Sequence, residues 1–445
     1  MWSARLAVIV WAAKLASMCV NRPGFVESGQ RAMEVGSFAS AIQSRRTENS
    51  IIRNPLIGLA AYQSLRGSEK YGETSIARWQ SSNDLYVKIA MNSRPAIPVA
   101  TTPSKASLHW GCRDNAKGNH MASNLHAASV VIDGLIISDF GRSVFEDMRK
   151  GGLTAANCTC CVWEGFTETM RNVMRWKAWF REHGDILKQV YTTADILKAK
   201  EEGKTGIILG WQNITGIEDQ IGYLGLFKEL GVGIIQMAYN TQNLVGTGCY
   251  ETRDGGLSDF GREVVAEMNR LGILCDLSHV GARTSEDVIA TSKQPVAYSH
   301  CLPAGLKEHP RNKSDAQLKF IVDRGGFVGV TMFPPFLKRG PAANVDDYVE
   351  AIEYVINICG EGNVGIGTDF TQGYGQEFFD WITHDKGYAR RLTSFGDVIN
   401  PEGLRTIGDW PNLTAAMEKR GWSASRIEAV IGRNWFNLLR TVWGA

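Results

Sequence analysis

The sequence lacks a surplus of either charge, and it has no long block of basic residues. Its 48 Lys and Arg residues nearly balance 46 Asp and Glu residues, which leaves a formal net charge of +2 over 445 residues. Proteins that track nucleic-acid phosphates concentrate positive charge on one face or in one run. Nucleic acid is therefore not expected as a partner.

A disulfide framework is also missing. The nine cysteines are an odd number scattered through otherwise apolar segments, whereas disulfide-stapled domains are short and carry evenly paired cysteines. The densest group, Cys158 to Cys161, lacks the two spaced Cys-x-x-Cys pairs of a structural zinc site. We interpret this group as buried packing, because free cysteine is among the most buried residue types.

The N-terminal residues contain no uninterrupted apolar run long enough to cross a membrane. Arg5 precedes apolar residues 6–13, Lys14 interrupts the run, and residues 15–20 continue it. A membrane span needs about 20 apolar residues, so we expect no transmembrane helix here. As an export signal the run is short and broken. Two locations stay open: periplasmic or secreted if the segment acts as a signal, and otherwise cytoplasmic.

The chain changes in charge and composition near residue 127. Residues 1–127 carry 15 basic and 7 acidic residues, a net charge of +8, and residues 91–124 hold three prolines among small polar residues. Such a stretch is typical of a linker. We predict an N-terminal extension over residues 1–127, with a signal-like start and a Pro-rich linker, and a folded domain over residues 128–445.

Short β-branched runs alternate with longer amphipathic stretches throughout this predicted domain. The helical stretches include residues 140–150, 219–230, 260–271 and 346–359. The eight candidate strands are residues 129–133, 153–157, 206–211, 233–238, 273–277, 295–299, 326–332 and 364–369.

Eight strands alternating with helices predict an α/β fold, a (β/α)8 TIM barrel. The alternative is an open doubly wound sheet, which usually carries a Gly-rich phosphate loop after its first strand. No such loop follows residues 129–133. Gly365-Ile366-Gly367 comes after a late strand and lacks the third glycine, so it is a weak dinucleotide signal.

Two successive candidate strands end in a Ser-His pair. Ser278-His279 follows the fifth strand, and Ser299-His300 follows the sixth. The carboxyl ends of barrel strands carry the chemistry, and neutral imidazoles converging from neighbouring strands are common zinc ligands. The pattern predicts a metal site at His279 and His300. The alternative is that each is a hydrogen-bonded core histidine.

Asp369 and Arg311 stand at the same predicted end of the barrel. Asp369 closes the eighth strand, where a carboxylate can move a proton or bind a metal, although it can also be a helix N-cap. Arg311 lies in the loop after His300. A guanidinium suits bidentate binding of a substrate carboxylate, with a surface salt bridge as the alternative.

Long, ordered motifs surround these residues. They run over Gly256 to Gly272, Asp276 to Val280, Ser299-His300, His309 to Asn312, Gly365 to Phe370 and Gly432 to Asn434. In these motifs the chain resembles the membrane dipeptidase family, also called the renal dipeptidase family, of the amidohydrolase superfamily. The resemblance covers residues from about 128 to the C-terminus.

The resemblance implies a zinc-dependent barrel of the amidohydrolase type that cleaves dipeptides with a free C-terminal carboxylate. By the same resemblance, His279 and His300 match the two histidine ligands of one zinc. Asp369 matches the carboxylate that handles the proton, and Arg311 matches the arginine that binds the substrate carboxylate.

The chain departs from the family pattern at the other metal position. The family motif Asp-Gly-His-x-Asp corresponds to Asp133 to Ile137, with Leu135 and Ile137 at the ligand positions, and Gln212 stands where a bridging glutamate is expected. Two adjacent dications need anionic oxygens between them. We therefore expect one zinc per chain or none, with Gln212 as a degenerate ligand position beside the two histidines.

Tyr239 takes the place of the family's histidine after the fourth barrel strand, and Asn240 follows it. We expect both to contact the substrate, although a tyrosine is a poor base near neutral pH. Aromatic residues near the site suggest a more apolar pocket than a plain dipeptide needs: Trp163, Trp211, Phe333 and Phe336. Ordinary barrel packing is the alternative for each of them.

The leading interpretation is a membrane dipeptidase-like metallohydrolase that cleaves a dipeptide or peptide-like amide with a free carboxylate and uses at most one metal. The alternative is a metal-free relative that binds or tailors a peptide-derived small molecule without peptide hydrolysis. The expected partner is a small peptide or peptide-like substrate. Barrels of this size commonly pair through their outer helices, so a homodimer is a further expectation.

Overall fold

Parallel strands form a single sheet in the computed structural model, which describes residues 121–444. The strand order is β1-β2-β4-β5-β6-β7-β8-β9, and β3 pairs with β4. The strands are β1 Ile132–Ile136, β2 Ala155–Thr159, β3 Leu187–Gln189, β4 Thr205–Trp211, β5 Val232–Gln236, β6 Leu274–Asp276, β7 Ala297–Cys301, β8 Phe327–Val330 and β9 Val364–Ile366.

The segments that follow β1 and β9 meet and close the sheet. The Ile137 amide donates to the Phe370 carbonyl at 3.0 Å, and the Asp369 amide donates to the Leu135 carbonyl at 3.0 Å. Eight parallel strands thereby form a nearly closed barrel with helices between them. The predicted (β/α)8 TIM barrel is confirmed.

The helices cover the outside of the barrel and one of its ends. They are α1 Met121–Ala128, α2 Arg142–Lys150, α3 Phe166–Glu182, α4 Thr193–Glu201, α5 Tyr223–Glu229, α6 Asp259–Leu271, α7 Ala282–Thr291, α8 Asp315–Val322, α9 Val345–Cys359, α10 Gln376–Thr383, α11 Trp410–Lys419, α12 Ala424–Glu428 and α13 Asn434–Trp443.

Local capping defines the ends of several of these helices. At the start of α6 the Ser258 hydroxyl accepts a hydrogen bond from the Gly261 amide at 2.9 Å, and Gly272 ends the helix with φ of 65°. Asn344 and Asp347 form a reciprocal capping box at the start of α9. These caps satisfy backbone groups that a helix end leaves unpaired.

The predicted strands all correspond to barrel strands, with shifted bounds. β1 begins three residues later than residues 129–133 predict, and β2 and β7 each begin two residues later. The three-residue strand β3 was missed because so short a segment carries no periodicity. The four predicted helices are present: α2 and α5 are shorter than predicted, and α6 and α9 each begin one residue earlier.

Some sequence-based predictions fall on residues outside the described range. The predicted extension over residues 1–127, with its signal-like start and Pro-rich linker, lies almost wholly there, so the domain division, the location and the homodimer stay predictions. Within residues 121–444, no helix has both the length and the apolar character needed to cross a bilayer. Cys158, Cys160 and Cys161 are buried free thiols.

The side chain of Trp435 fills the barrel interior at the end covered by α13. Its ring is fully buried, lies 4.5 Å from the Phe327 ring between centroids, and donates from Nε1 to the Ile366 carbonyl at 2.8 Å. Gly134 and Gly365 face this ring, and a Cβ atom on either would overlap it. Glycine at these positions therefore lets the indole enter the barrel.

Replacing Gly134 by alanine is expected to lower the free energy of unfolding by about 1–3 kcal/mol, because the added methyl group overpacks the core against Trp435. Urea denaturation measures this change. Gly225→Ala is the matched control, since no atom lies within 4 Å of a Cβ atom there and the residue is inside α5. An equal loss of free energy of unfolding in both variants would contradict the close approach of Gly134 to the Trp435 ring.

Candidate active site

His279 and His300 meet at the carboxyl end of the barrel strands. His279 follows β6 and is 5% exposed, and His300 lies in β7 and is fully buried. Their Nε2 atoms lie 3.0 Å apart. The structure thus brings together the two histidines that the Ser-His pattern singled out.

The second ring nitrogen of His279 is held by Asn240. The His279 Nδ1 atom lies 2.7 Å from the Asn240 Oδ1 atom. An amide oxygen can only accept a hydrogen bond, so Nδ1 carries the proton and Nε2 carries a lone pair. Asn240 has φ of 60°, a left-handed conformation that asparagine tolerates better than most residues.

The second ring nitrogen of His300 is held by a hydrogen-bond network around Asp276. The Ser299 hydroxyl donates to the Asp276 carboxylate at 2.6 Å, and the His300 Nδ1 atom lies 2.7 Å from that hydroxyl oxygen. Because the hydroxyl hydrogen points at Asp276, the oxygen accepts from Nδ1. His300 therefore also keeps its Nε2 lone pair. The Ser278 hydroxyl donates to the same carboxylate at 2.6 Å.

With these tautomers, two lone pairs face each other across 3.0 Å, an arrangement that a cation bound to both would stabilise. Burial, reinforced by the Arg311 charge, holds the pKa of both His279 and His300 well below the ordinary value. A shared proton is therefore disfavoured. Two imidazoles whose other nitrogens are bound to protein groups are the usual donors to a divalent metal ion.

Gln212 and Asp369 line the same cavity as His279. The Gln212 amide nitrogen donates to the Thr159 hydroxyl at 3.1 Å, which leaves its carbonyl oxygen without a protein partner among residues 121–444. Asp369 has φ of 62°, and burial raises the pKa of its carboxyl group to about 7. No helix begins at Asp369, so the N-cap interpretation is wrong.

The cavity beside His279 is small and mostly apolar, and the fully buried His300 does not line it. It measures about 20 Å³, which is room for little more than one water molecule. The Tyr239 ring stacks on His279 with 4.1 Å between centroids, and Trp163 meets Tyr239 edge to face at 4.9 Å. Apolar side chains close the cavity: Ile137, Phe333, Phe336, Phe378, Ile382 and Phe395.

Residues predicted for the pocket that do not line this cavity include Trp163, Trp211 and Arg311. Trp211 does not line this cavity, because its ring packs on Phe227 of α5 at 4.5 Å. Arg311 is buried beneath the site, where its guanidinium donates to the backbone carbonyls of Ser278 and His300. The surface salt bridge interpretation of Arg311 is therefore wrong, and its role as the carboxylate anchor stays a prediction.

Comparisons with known proteins identify the family. The family model for membrane dipeptidase, peptidase family M19, matches residues 125–388, which is more than half of the chain. The chain belongs to peptidase family M19. The solved structure of another M19 dipeptidase is described as that of a metallopeptidase. It is 21% identical to this chain, with a TM-score of 0.61, and the match covers 71% of this chain and 99% of its own.

Several relatives of this M19 chain have solved structures or curated names. An amidohydrolase from Pseudomonas aeruginosa is 65% identical, with a TM-score of 0.72 over 73% of this chain and 99% of its own. An uncharacterized dipeptidase of Schizosaccharomyces pombe is 30% identical, over 59% of this chain and 58% of its own. Dipeptidase aclJ of Aspergillus oryzae is 30% identical, over 54% of this chain and 52% of its own. The chain thus spans just over half the length of these curated relatives.

The residues of this M19 member do not fit a dinuclear metal centre. Leu135 and Ile137 are buried aliphatic side chains at the positions where the family pattern has ligands. Among residues 121–444, no group of three or more His, Cys, Asp or Glu side chains is arranged to bind a metal ion. The donors that remain are the two imidazoles and the neutral Gln212 amide, without the anionic bridge that two adjacent dications need.

Sequence reasoning missed the polar residues that hold the histidines of this M19 site. Gln236, at the end of β5, accepts a hydrogen bond from the His279 amide at 3.2 Å. The Asp276 carboxylate accepts from the Ser278 and Ser299 hydroxyl groups. The repeated Ser-His pairs beside Asp276 carried a usable signal for this network, whereas nothing near Gln236 in the sequence marked it.

Proposed function

We propose that this M19 protein is a mononuclear metallohydrolase that cleaves a dipeptide or a peptide-like amide with a free carboxylate. The observation that carries this proposal is the approach of His279 and His300, whose Nε2 atoms lie 3.0 Å apart while their Nδ1 atoms are hydrogen-bonded to Asn240 and Ser299. The dipeptidase names of the curated relatives support the reaction class.

Zinc is the ion that best suits two imidazoles and a neutral amide oxygen. Bound there, it would supply Lewis acidity for polarising the scissile carbonyl group and for lowering the pKa of water. His279 and His300 would hold the ion, and the Gln212 carbonyl oxygen would be available as a further ligand. Asp276 acts through Ser299 to orient the His300 ring.

Asp369 handles the proton in this scheme. Hydrolysis forms a bond between the water oxygen and the carbonyl carbon and breaks the amide C–N bond, and the leaving nitrogen needs a proton. A carboxyl group with a pKa of about 7 is suited to accept the proton from water and to deliver it to the leaving amine. The cavity around it excludes bulk water.

We assign the substrate contact at the cavity to Tyr239 and an electrostatic role toward the substrate to Arg311, which does not line the cavity. The Tyr239 hydroxyl has no hydrogen-bond partner among residues 121–444, and Tyr239 lines the cavity, so it is free to donate to the substrate. Arg311 supplies a buried positive charge for the substrate carboxylate. Asn240 instead uses its amide oxygen to hold His279, which makes it a positioning residue.

Metal analysis combined with a peptide assay tests the proposal. Protein purified without chelators and dialysed against zinc is expected to hold about one zinc per chain and to cleave dipeptides. C-terminally amidated dipeptides are expected to react at least tenfold more slowly, because they lack the carboxylate. Zinc-loaded protein that cleaves no dipeptide would overturn the proposal.

A metal-free binding or tailoring protein is the second candidate function. The small apolar cavity and the loss of charged ligands at Leu135, Ile137 and Gln212 favour it. On this alternative, the triple variant Leu135→His, Ile137→Asp, Gln212→Glu takes up metal that the natural protein does not. Stoichiometric zinc and peptide cleavage in the natural protein would rule it out.

A further inference from the structure

A second and much larger cavity adjoins the active site at the carboxyl ends of β1 and β2. It measures about 410 Å³, against about 20 Å³ for the cavity beside His279. Ile137 and Phe378 line both cavities. A substrate that places its amide bond at the histidines must put its larger part elsewhere, and this neighbouring cavity has the volume for it.

Tryptophan rings form much of the wall of the larger cavity. Trp176 and Trp179 of α3 pack edge to face with 5.0 Å between centroids, and Trp381 of α10 lines the same space. Phe378 lies one turn before Trp381 on α10. Aromatic faces of this kind bind apolar rings and attract organic cations through the ring quadrupole.

Three charged side chains also line this cavity: Asp139, Glu164 and Arg175. The Glu164 carboxylate is held by the Val162 amide at 2.6 Å and by the Asn172 amide group at 3.1 Å. The side chains of Asp139 and Arg175 form no hydrogen bond or salt bridge within residues 121–444. Two carboxylates against one guanidinium leave the cavity net negative, which favours a ligand with an ammonium group.

We propose that this cavity, which we call the amine pocket, binds the amino-terminal half of the substrate, a residue with a free ammonium group and a large aromatic side chain. The aromatic side chain packs on Trp381 and its neighbours, and the ammonium group faces Asp139 and Glu164. This inference rests on the proposed function, since the scissile amide then lies at the histidines and the substrate carboxylate lies toward Arg311.

Steady-state kinetics with Phe-Ala, Gly-Ala and N-acetyl-Phe-Ala test the amine pocket. The natural protein is expected to prefer Phe-Ala over each of the other two by at least tenfold in kcat/KM. Trp381→Ala is expected to reduce the preference over Gly-Ala to less than threefold. Asp139→Asn is expected to reduce the preference for Phe-Ala over N-acetyl-Phe-Ala to less than threefold, because it removes the negative charge and keeps the shape of the side chain.

Tyr388→Ala is the matched control for Trp381→Ala. Tyr388 is 82% exposed and does not line the amine pocket, so its replacement is expected to leave both preferences unchanged. Equal rates for Phe-Ala and Gly-Ala in the natural protein would overturn the inference. Preferences that survive both pocket variants would overturn it as well.

Calorimetric titration separates this inference from the proposed function, because binding needs no hydrolysis. Phenethylamine carries the ring and the ammonium group, and 3-phenylpropionate carries the ring with a carboxylate. Phenethylamine is expected to bind at least fivefold more tightly, and Trp381→Ala to weaken it at least fivefold. Such binding without any dipeptide cleavage would support the amine pocket and contradict the hydrolase. Dipeptide cleavage without phenethylamine binding would overturn the amine pocket alone.

Discussion

Replacing His279 or His300 by alanine is expected to remove the bound zinc and to lower kcat/KM for a cleaved dipeptide by about 10³-fold or more. In the proposed site each histidine supplies one of the two imidazole donors, and within residues 121–444 no other histidine lines the cavity to replace it. The Lewis acidity of a metal ion is worth several kcal/mol of transition-state stabilisation, and each 1.36 kcal/mol is a factor of ten in rate. Elemental analysis and initial rates measure the two losses.

A graded variant and a control sharpen this prediction. Ser299→Ala removes the acceptor of the His300 Nδ1 hydrogen and is expected to weaken zinc binding by about 10–100-fold without abolishing it. His183→Ala is the control, since His183 follows α3 and packs on the Phe145 ring at 5.4 Å. Thermal unfolding verifies that each variant folds. Full zinc occupancy in folded His279→Ala would place the metal elsewhere.

Replacing Asp369 by asparagine is expected to lower kcat by about 10²–10⁴-fold, the usual contribution of a general acid or base, while zinc content stays unchanged. The amide keeps the shape of the carboxyl group and cannot exchange a proton. The limb of the pH–rate profile that the Asp369 carboxyl group controls is expected to disappear, because burial raises the pKa of this group to about 7 and the amide does not titrate. An unchanged profile in this variant would assign the limb to another group.

The same variant is expected to change the pH dependence of stability. Burial raises the pKa of Asp369 from 3.8 to about 7, so the folded protein binds more protons than the unfolded chain between these values. The stabilisation by the neutral form is complete below about pH 4 and is lost as the pH rises through about 7. Asp369→Asn removes this loss, because its side chain stays neutral.

Urea denaturation of chelator-treated protein at pH 5 and pH 8 measures this effect. The free energy of unfolding of Asp369→Asn minus that of the natural protein is expected to be larger at pH 8 than at pH 5. Asp323→Asn is the control, since Asp323 is an exposed partner of Lys319 at 2.8 Å. If the free energy of unfolding falls by the same amount between pH 5 and pH 8 in the natural protein and in Asp369→Asn, the pKa of Asp369 is not raised in the folded protein.

The local sequence determined the barrel and its two principal histidines. The spacing of apolar residues and the residue types along each segment predicted the strands and helices. Short β-branched runs are typical of buried strands, and amphipathic stretches are typical of helices. The Ser-His pairs of β6 and β7 were visible because barrel chemistry gathers at strand ends. The aliphatic residues Leu135 and Ile137 were equally plain, and they predicted the loss of one metal position.

Contacts between distant segments decided the rest. The facing lone pairs of His279 and His300 depend on Asn240, which lies 39 residues before His279, and on the Asp276 network across neighbouring strands. The burial of Arg311 beneath the strand ends and the small size of the central cavity likewise depend on how loops pack over the barrel.

The sequence by itself therefore determined the fold class, the pair of histidines and the missing charged ligands, because each of these follows from residue identity along one segment. Only the tertiary structure decided the tautomers, the raised pKa of the Asp369 carboxyl group and the division of the pocket into a small and a large cavity. Those properties arise from desolvation and from hydrogen bonds between residues far apart in the chain, which no local pattern encodes.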